Sequence, residues 1–208
     1  VNGRTVHKET INLIPTDTLF IKFKHNDYFA KNVDDRNDFM ITKDSLNNDI
    51  IYSNQVSFRI EKSDEKYAYI QIEKEAKGKS LTEAKKRSEA IRYGYKIIGN
   101  QLILDNYLIS DLKNKFRDQE IEITLFLPIG TLLKVDESVA NYDRTDDDFF
   151  YWHSEDSDKS IFRVEDEKIK CLNCPDDEND ESDEDDNQSN ITINENGVTI
   201  ESDSVVKT

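Results

Sequence analysis

The chain reads as a mainly β domain carrying one helix, followed by a strongly acidic extension. Three features lead there. Apolar and polar residues alternate with period two in several windows, one window alone carries a helix-start signal, and the whole net charge lies in the last third of the chain.

The alternation is plainest at four places. Leu19, Ile21 and Phe23 alternate with Thr18, Phe20, Lys22 and Lys24, and Val56, Phe58 and Ile60 with Ser57, Arg59 and Glu61. Ala68, Ile70 and Ile72 alternate with Tyr69, Gln71 and Glu73. Over 120–127, Ile121, Ile123, Leu125 and Leu127 face one way and Glu120, Glu122, Thr124 and Phe126 the other. Side chains of a strand point alternately to its two faces, so each window predicts a half-buried strand. Shorter strands are expected at 10–14, 101–104, 132–135 and 161–164. Residues 25–54, rich in Asn and Asp, read as a long loop with one short strand at 39–42.

The helix signal is Ser80-Leu81-Thr82-Glu83, a capping box with Ser80 as N-cap. It predicts a helix over 81–93, with Leu81, Ala84, Ala90 and Ile91 as its apolar stripe and Gly94 as its stop. One helix among strands argues against a repeated βαβ unit and a parallel doubly wound sheet. Periodicity alone allows a β-sandwich as readily as a rolled sheet.

Charge divides the chain. Of 44 acidic and 28 basic side chains, residues 1–142 hold 22 of each; residues 143–208 keep 22 acidic and 6 basic, which is the entire net charge of −16. Such an excess repels phosphates, so nucleic acid is disfavoured as a partner and basic surfaces or divalent cations are favoured. The densest stretch is Asp176, Asp177, Glu178, Asp180, Glu181, Asp183, Glu184, Asp185 and Asp186. With no apolar residue among them, 176–188 is expected to be a disordered acidic loop. Its oxygens suit weak, diffuse calcium binding; an EF-hand loop starting at Asp177 would need Gly where Ser182 stands. Beyond it, Ile191 and Ile193 match Val198 and Ile200 across Asn196-Gly197, a hairpin signal within 189–208. The expected division is therefore 1–175, 176–188 and 189–208.

No motif assembles a catalytic centre. Gly78-Lys79-Ser80 resembles the end of a phosphate-binding loop, but the glycine that motif needs five positions earlier is Glu73. His7, His25 and His153 share no short spacing, and no nucleophile elbow is present. Cys171 and Cys174 have the spacing of half a zinc site, without a second pair to complete it except from another chain. The pair suits either a local disulfide or two reduced thiols, and no catalytic residue, metal site or cofactor other than weakly held calcium is expected. No apolar run approaches the roughly 20 residues that span a bilayer. No signal peptide is visible, and the start at Val1 reads as an internal cut in a longer protein.

The order of features resembles the C-terminal soluble domain of the PspC-domain membrane proteins of Bacteroidota, the toast-rack type. The residues that carry it begin with Val56 to Glu61, then Ile70 to Ile72 running into Lys74-Glu75-Ala76-Lys77-Gly78-Lys79-Ser80. Glu83-Ala84, Ile91-Arg92-Tyr93, Gly99 to Asp105 with Tyr107, and Leu125-Phe126-Leu127-Pro128-Ile129-Gly130-Thr131 follow. Trp152 and the Cys171/Cys174 pair are similar to the family's ending, so the resemblance covers residues 5–175. It implies a right-handed β-roll or β-helix-like domain, held to the inner membrane by upstream helices, on the periplasmic side of the cell envelope. It also implies a non-catalytic sensor or scaffold in a phage-shock-like envelope stress response. Other membrane or envelope proteins, or further copies of the chain, would be its partners. The alternative is an adhesin-like module for glycan or protein. Tyr67, Tyr69 and Phe126 exposed on one sheet face would favour that, since sugars stack on aromatic rings. A His, Ser and Asp gathered in a cleft would instead favour a hydrolase.

Overall fold

The computed structural model describes residues 1–13, 17–31 and 38–175, and the backbone of 190–194 and 197–201. Two compact units separate at Cys174. In chain order the first holds β1 (Asn2–Ile11), β2 (Thr18–Phe23), α1 (Tyr28–Lys31), β3 (Phe39–Lys43), β4 (Asp49–Ser53), β5 (Val56–Lys62) and β6 (Ala68–Lys77). Then come α2 (Leu81–Glu89), β7 (Tyr95–Ile98), β8 (Gln101–Leu104), β9 (Leu108–Asp111), β10 (Glu120–Leu127), β11 (Leu132–Val135), β12 (Phe162–Val164) and β13 (Ile169–Cys171). The second unit contains β14 (Asn190–Asn194) and β15 (Gly197–Glu201), an antiparallel pair with Ile191 opposite Ile200 and Ile193 opposite Val198.

The first unit is built from three mixed or antiparallel sheets, none of them closed. The four-stranded sheet runs β1-β6-β10-β5, antiparallel except for the parallel pair β10/β5. The six-stranded sheet runs β13-β12-β11-β2-β8-β7, with β2 parallel to both β11 and β8. The third is the antiparallel trio β3-β4-β9. The chain visits the three sheets twice in the same order, although β4 and β9 pair antiparallel, so it crosses the third sheet in opposite directions on the two visits. β2, β4 and β5 make one pass through the six-, three- and four-stranded sheets, and β8, β9 and β10 make the next. The parallel pairs β2/β8 and β5/β10 are strands from successive passes, which explains parallel pairing without a helical crossover.

The core lies between the larger sheets. Phe58, Ile60, Ile70, Ile72, Ile123 and Leu125 from one meet Leu19, Ile21, Phe23, Leu102, Leu133 and Val135 from the other in a single buried cluster. The alternation read from the sequence becomes the burial pattern directly: β10 alternates half-buried and buried along all eight residues.

Four expectations need correction. The single helix becomes two, because α1 adds one turn at Tyr28–Lys31. The long helix stops at Glu89 with Ala90 as its C-cap, four residues short of 93. It stops because Ile91 turns into the core and Arg92 exchanges two backbone hydrogen bonds with Ile109 of β9. Gly94 is therefore not the cap, and Leu81 stands 64% exposed outside the apolar stripe. The start of the helix is as read. Ser80 accepts from the Glu83 N–H at 3.2 Å, and the Glu83 carboxylate accepts from the Lys79 N–H at 2.8 Å.

Within the loop expected over 25–54 the short strand expected at 39–42 is β3, while α1 and β4 are unforeseen. Ile50, Ile51 and Tyr52 are buried in succession, on both faces of β4, so no alternation signals it. Of the described residues in the short strand expected at 10–14, only Thr10 and Ile11 lie in a strand, the end of ten-residue β1, whose earlier part is hidden by polar residues on both faces.

The helix lies on β1 and β6 by close approach. A Cβ placed on Gly3 would overlap the backbone of Ala84 and Lys85, and one on Gly78 the backbone of Ala84. Glycine at both positions lets α2 settle with Ala84 and Ser88 buried.

Candidate functional site

The outward face of the four-stranded sheet and the cleft at its end form the most distinctive surface of the first unit. Register places Thr10, Tyr69 and Phe126 side by side across β1, β6 and β10. The Tyr69 and Phe126 rings stack with centroids 4.4 Å apart and planes within 13°. Tyr67, 48% exposed, leans on Tyr69 at 6.0 Å, and the Lys8 ammonium sits 6.0 Å above the Tyr69 ring. Beyond Tyr67 the sheet ends in a cleft of about 590 Å³ lined by Ile11, Leu13, Asp17, Tyr67, Ile129 and Leu132 among others. That volume is within the range of small-molecule sites. The aromatic row is thus present on one face, but Tyr69 and Phe126 already cover one ring face of each other.

The opposite end of the same face is ionic. Glu73 lies directly across from Glu122, and Glu75 across from Glu120. Like charges so placed are unfavourable. Arg4 relieves them with ion pairs to Glu73 at 3.0 Å and Glu75 at 2.6 Å. Burial pushes the Glu120 carboxyl up, with Glu75 and Glu122 adding to it.

Two polar clusters lie elsewhere, and sequence reading missed both because each depends on one partner far away in the chain, Tyr107 in one and His25 in the other. In the first, His25 Nε2 is 3.2 Å from Asp136 Oδ2, and Ser138 donates its hydroxyl to the same oxygen at 2.5 Å. This gathers His, Ser and Asp, but in the wrong order for nucleophilic catalysis. A base must take the serine proton, so His has to stand between Ser and Asp. Here Asp136 stands in the middle, also accepting the Ser138 N–H at 3.1 Å, while Ser138 Oγ accepts from the Phe23 N–H at 3.0 Å. The group caps the turn over 137–139 and ties it to β2.

In the second cluster Asp27 accepts from Lys24 at 2.8 Å, Tyr107 at 3.0 Å and the Phe29 N–H at 3.0 Å. Burial raises the Asp27 carboxyl, but the Lys24, Phe29 and Tyr107 hydrogen bonds outweigh it and hold the group below its ordinary range. A carboxylate with a depressed folded pKa contributes stability in full above its unfolded pKa of about 3.9, and that contribution is lost as pH falls through the lower folded value. Asp27→Asn is therefore expected to cost about 1–2 kcal/mol at neutral pH, the pair being partly exposed. Denaturant midpoints of parent and variant should converge below about pH 4. A gap that stays constant down to pH 2 would show that ionised Asp27 is not its source.

His7 and His153 are both exposed, and His153 rests edge-on against Tyr151. Among the described residues no group of three His, Cys, Asp or Glu side chains is gathered to hold a metal ion. Cys171 and Cys174 are joined by a disulfide with Cα atoms 5.7 Å apart, and Asn173 between them bonds the Ile161 N–H and the Lys159 carbonyl. The candidate cation ligands Asp176, Asp177, Glu178, Asp180, Glu181, Asp183, Glu184, Asp185 and Asp186 lie outside the described residues.

A family model described as the ToastRack found in some PspC matches residues 42–177, more than half of the chain. The chain belongs to the toast-rack family found in some PspC proteins. The match begins inside β3 and ends just past Cys174, so the toast-rack segment includes β4 to β13 and α2. β1 and β2 precede it, yet both pair with toast-rack strands, β1 with β6 and β2 with β8 and β11. No curated protein and no solved structure matches the chain. Membership associates the toast-rack domain with PspC-type membrane proteins, although among the described residues no helix is long and apolar enough to cross a membrane.

Proposed function

We propose that this toast-rack domain is a non-catalytic sensor or scaffold module of a PspC-type membrane protein acting in envelope stress. The family match over 42–177 carries the reading. The inverted His25–Asp136–Ser138 order supports a structural over a catalytic role for the one such trio seen among the described residues. Its partners would be other membrane or envelope proteins and not nucleic acid, given the charge of −16. The roll is taken as right-handed, the hand that twisted strands favour in parallel connections.

The periplasmic side of an inner membrane is the proposed location, and the Cys171–Cys174 disulfide supports it, since such bonds persist in oxidising compartments. Loop closure over so short a span contributes about 2 kcal/mol in the chain-entropy account. Cys171→Ser with Cys174→Ser should lower stability by that amount, read as a shift in the denaturant midpoint. No shift would mean that the bond is dispensable to the fold.

The deciding experiment uses the full-length protein in cells. Excision of residues 42–177 in frame, with membrane insertion verified, should abolish or lock on the envelope-stress transcriptional response. An unchanged response would overturn the sensor or scaffold reading. Cys171 and Cys174 should resist membrane-impermeant thiol labelling until reduced and then take the label in intact spheroplasts; protection after reduction would place them on the other side.

The aromatic row supports a second reading, an adhesin-like module. Tyr67 and the cleft beside it would meet a glycan or peptide there. Tyr67→Ala should then abolish binding on a glycan array, and an array without hits removes the glycan form of this reading.

A further inference from the structure

The edge of the four-stranded sheet offers an interaction surface that nothing above uses. β1 is the terminal strand of its sheet and pairs with β6 without interruption over ten residues, from Asn2 opposite Lys77 to Ile11 opposite Ala68. Half of its backbone N–H and C=O groups therefore point away from β6. Among the described residues no hydrogen bond reaches the main chain of residues 2–11 from that side. Exposed edges are normally blunted by a proline, a bulge, short length or outward charges. β1 has neither proline nor bulge and is long. Its charged side chains fold back over their own domain. Arg4 reaches Glu73 and Glu75, Lys8 covers the Tyr69 ring, and Glu9 takes the Tyr95 hydroxyl. Thr5 likewise turns to Ser88 at 2.7 Å. Among the described residues the backbone edge is left clear.

We infer that β1 is a dimerisation edge, pairing antiparallel with β1 of a second copy about a two-fold axis perpendicular to the sheet. A two-fold contact brings the same patch of each subunit together, so the strand must complement itself. Its sequence does so in one long register. Centring on His7 pairs residues 3–11 of each copy, setting Arg4 opposite the partner's Thr10, Thr5 opposite the partner's Glu9, and Val6 opposite the partner's Lys8. No formal charges of like sign then face each other. Centring on Val6 would set Arg4 against the partner's Lys8 twice, and centring on Lys8 would set that residue against itself; like charges directly opposite are unfavourable. The product is an eight-stranded sheet continuous across the two copies, with both aromatic rows on one face. The inference is independent of the sensor reading.

Sedimentation of the 208-residue chain over a concentration series is the first measurement, and a reversible dimer is expected. Thr10 is exposed and outside the core, so its variants test register without disturbing folding. Thr10→Glu places a carboxylate opposite the partner's Arg4 at two symmetry-related points and should tighten the dimer by about threefold to tenfold. Thr10→Lys should weaken it by a similar factor. His7→Cys should form an intersubunit disulfide, because directly opposed Cα atoms lie about 4.5–5.5 Å apart, within disulfide reach. Thr5→Cys, four residues out of register with itself, should not. Peptide mapping distinguishes the new link from Cys171–Cys174. A chain that stays monomeric at every concentration overturns the inference. So does a dimer indifferent to the charge at position 10, or one that leaves His7→Cys unlinked, because it would use another surface.

Discussion

Phe58→Ala is expected to destabilise the first unit by about 3–5 kcal/mol, the cost of deleting a buried aromatic side chain and leaving a cavity. Phe58 is 1% exposed and stands where the two larger sheets meet. From β5 it reaches across to Phe23 of β2, edge to face at 6.1 Å, and Phe23 in turn packs on Tyr142 at 4.5 Å. Its backbone is engaged on the same spot. The Phe58 N–H donates to the Tyr142 carbonyl at 2.8 Å, and the Phe58 carbonyl accepts from the Arg144 N–H at 2.6 Å. These bonds hold the main chain in place, so the site cannot collapse to fill the void. For a chain of this size the loss corresponds to roughly 6–20 °C in melting temperature. Phe58→Leu, which keeps most of the volume, should cost less than about 1.5 kcal/mol. Equal losses for the two variants, or a melting temperature within a degree or two of the parent for Phe58→Ala, would show that the cross-sheet contact is not central to the core.

Tyr52→Ala is expected to cost about as much, again about 3–5 kcal/mol by analogy with other buried aromatics. Tyr52 is 0% exposed at the centre of the three-stranded sheet, outside the main cluster. Its ring meets Phe29 at 4.9 Å and Tyr28 at 6.4 Å, and its hydroxyl donates to the Met40 thioether sulfur Sδ at 3.0 Å. Phe29 also contacts Tyr107, whose hydroxyl holds Asp27. Removing the ring therefore loosens α1, β3 and the Asp27 cluster together. Tyr52→Phe keeps the ring and loses only the hydroxyl, and should cost about 1 kcal/mol. Hydrogen exchange gives the clearest check. In Tyr52→Ala the amides of β3 and β4 should exchange much faster, while those of β6 and β10 keep their order of protection. Unchanged protection at 39–53 would mean that the third sheet holds together without Tyr52.

Both predictions turn on a distinction visible along the chain. Wherever a strand has one face in the core and one in water, its sequence shows it, because side chains alternate with the same period as the faces. β2, β5, β6 and β10 were legible for that reason. The start of α2 was legible too, since a capping box acts within four residues. The family resemblance rested on the same stretches, and the match over 42–177 spans most of them. β4 was not legible, because Ile50, Ile51 and Tyr52 are buried on both faces by neighbours that the sequence does not place beside it. β1 escaped for the opposite reason: an edge strand with polar residues on both faces carries no alternation.

The candidate surfaces divide the same way. Tyr67, Tyr69 and Phe126 could be suspected as one row from strand parity alone, but their stacking depends on β6 lying beside β10 in one register. Asp136 standing between His25 and Ser138, 111 residues from the first and two from the second, is a contact only the tertiary fold creates. Which residues face inward and where a helix can begin are local properties, set by neighbours a few residues away. Which strands lie side by side, where α2 must stop, and which polar groups meet depend instead on chain segments brought together only when the core closes.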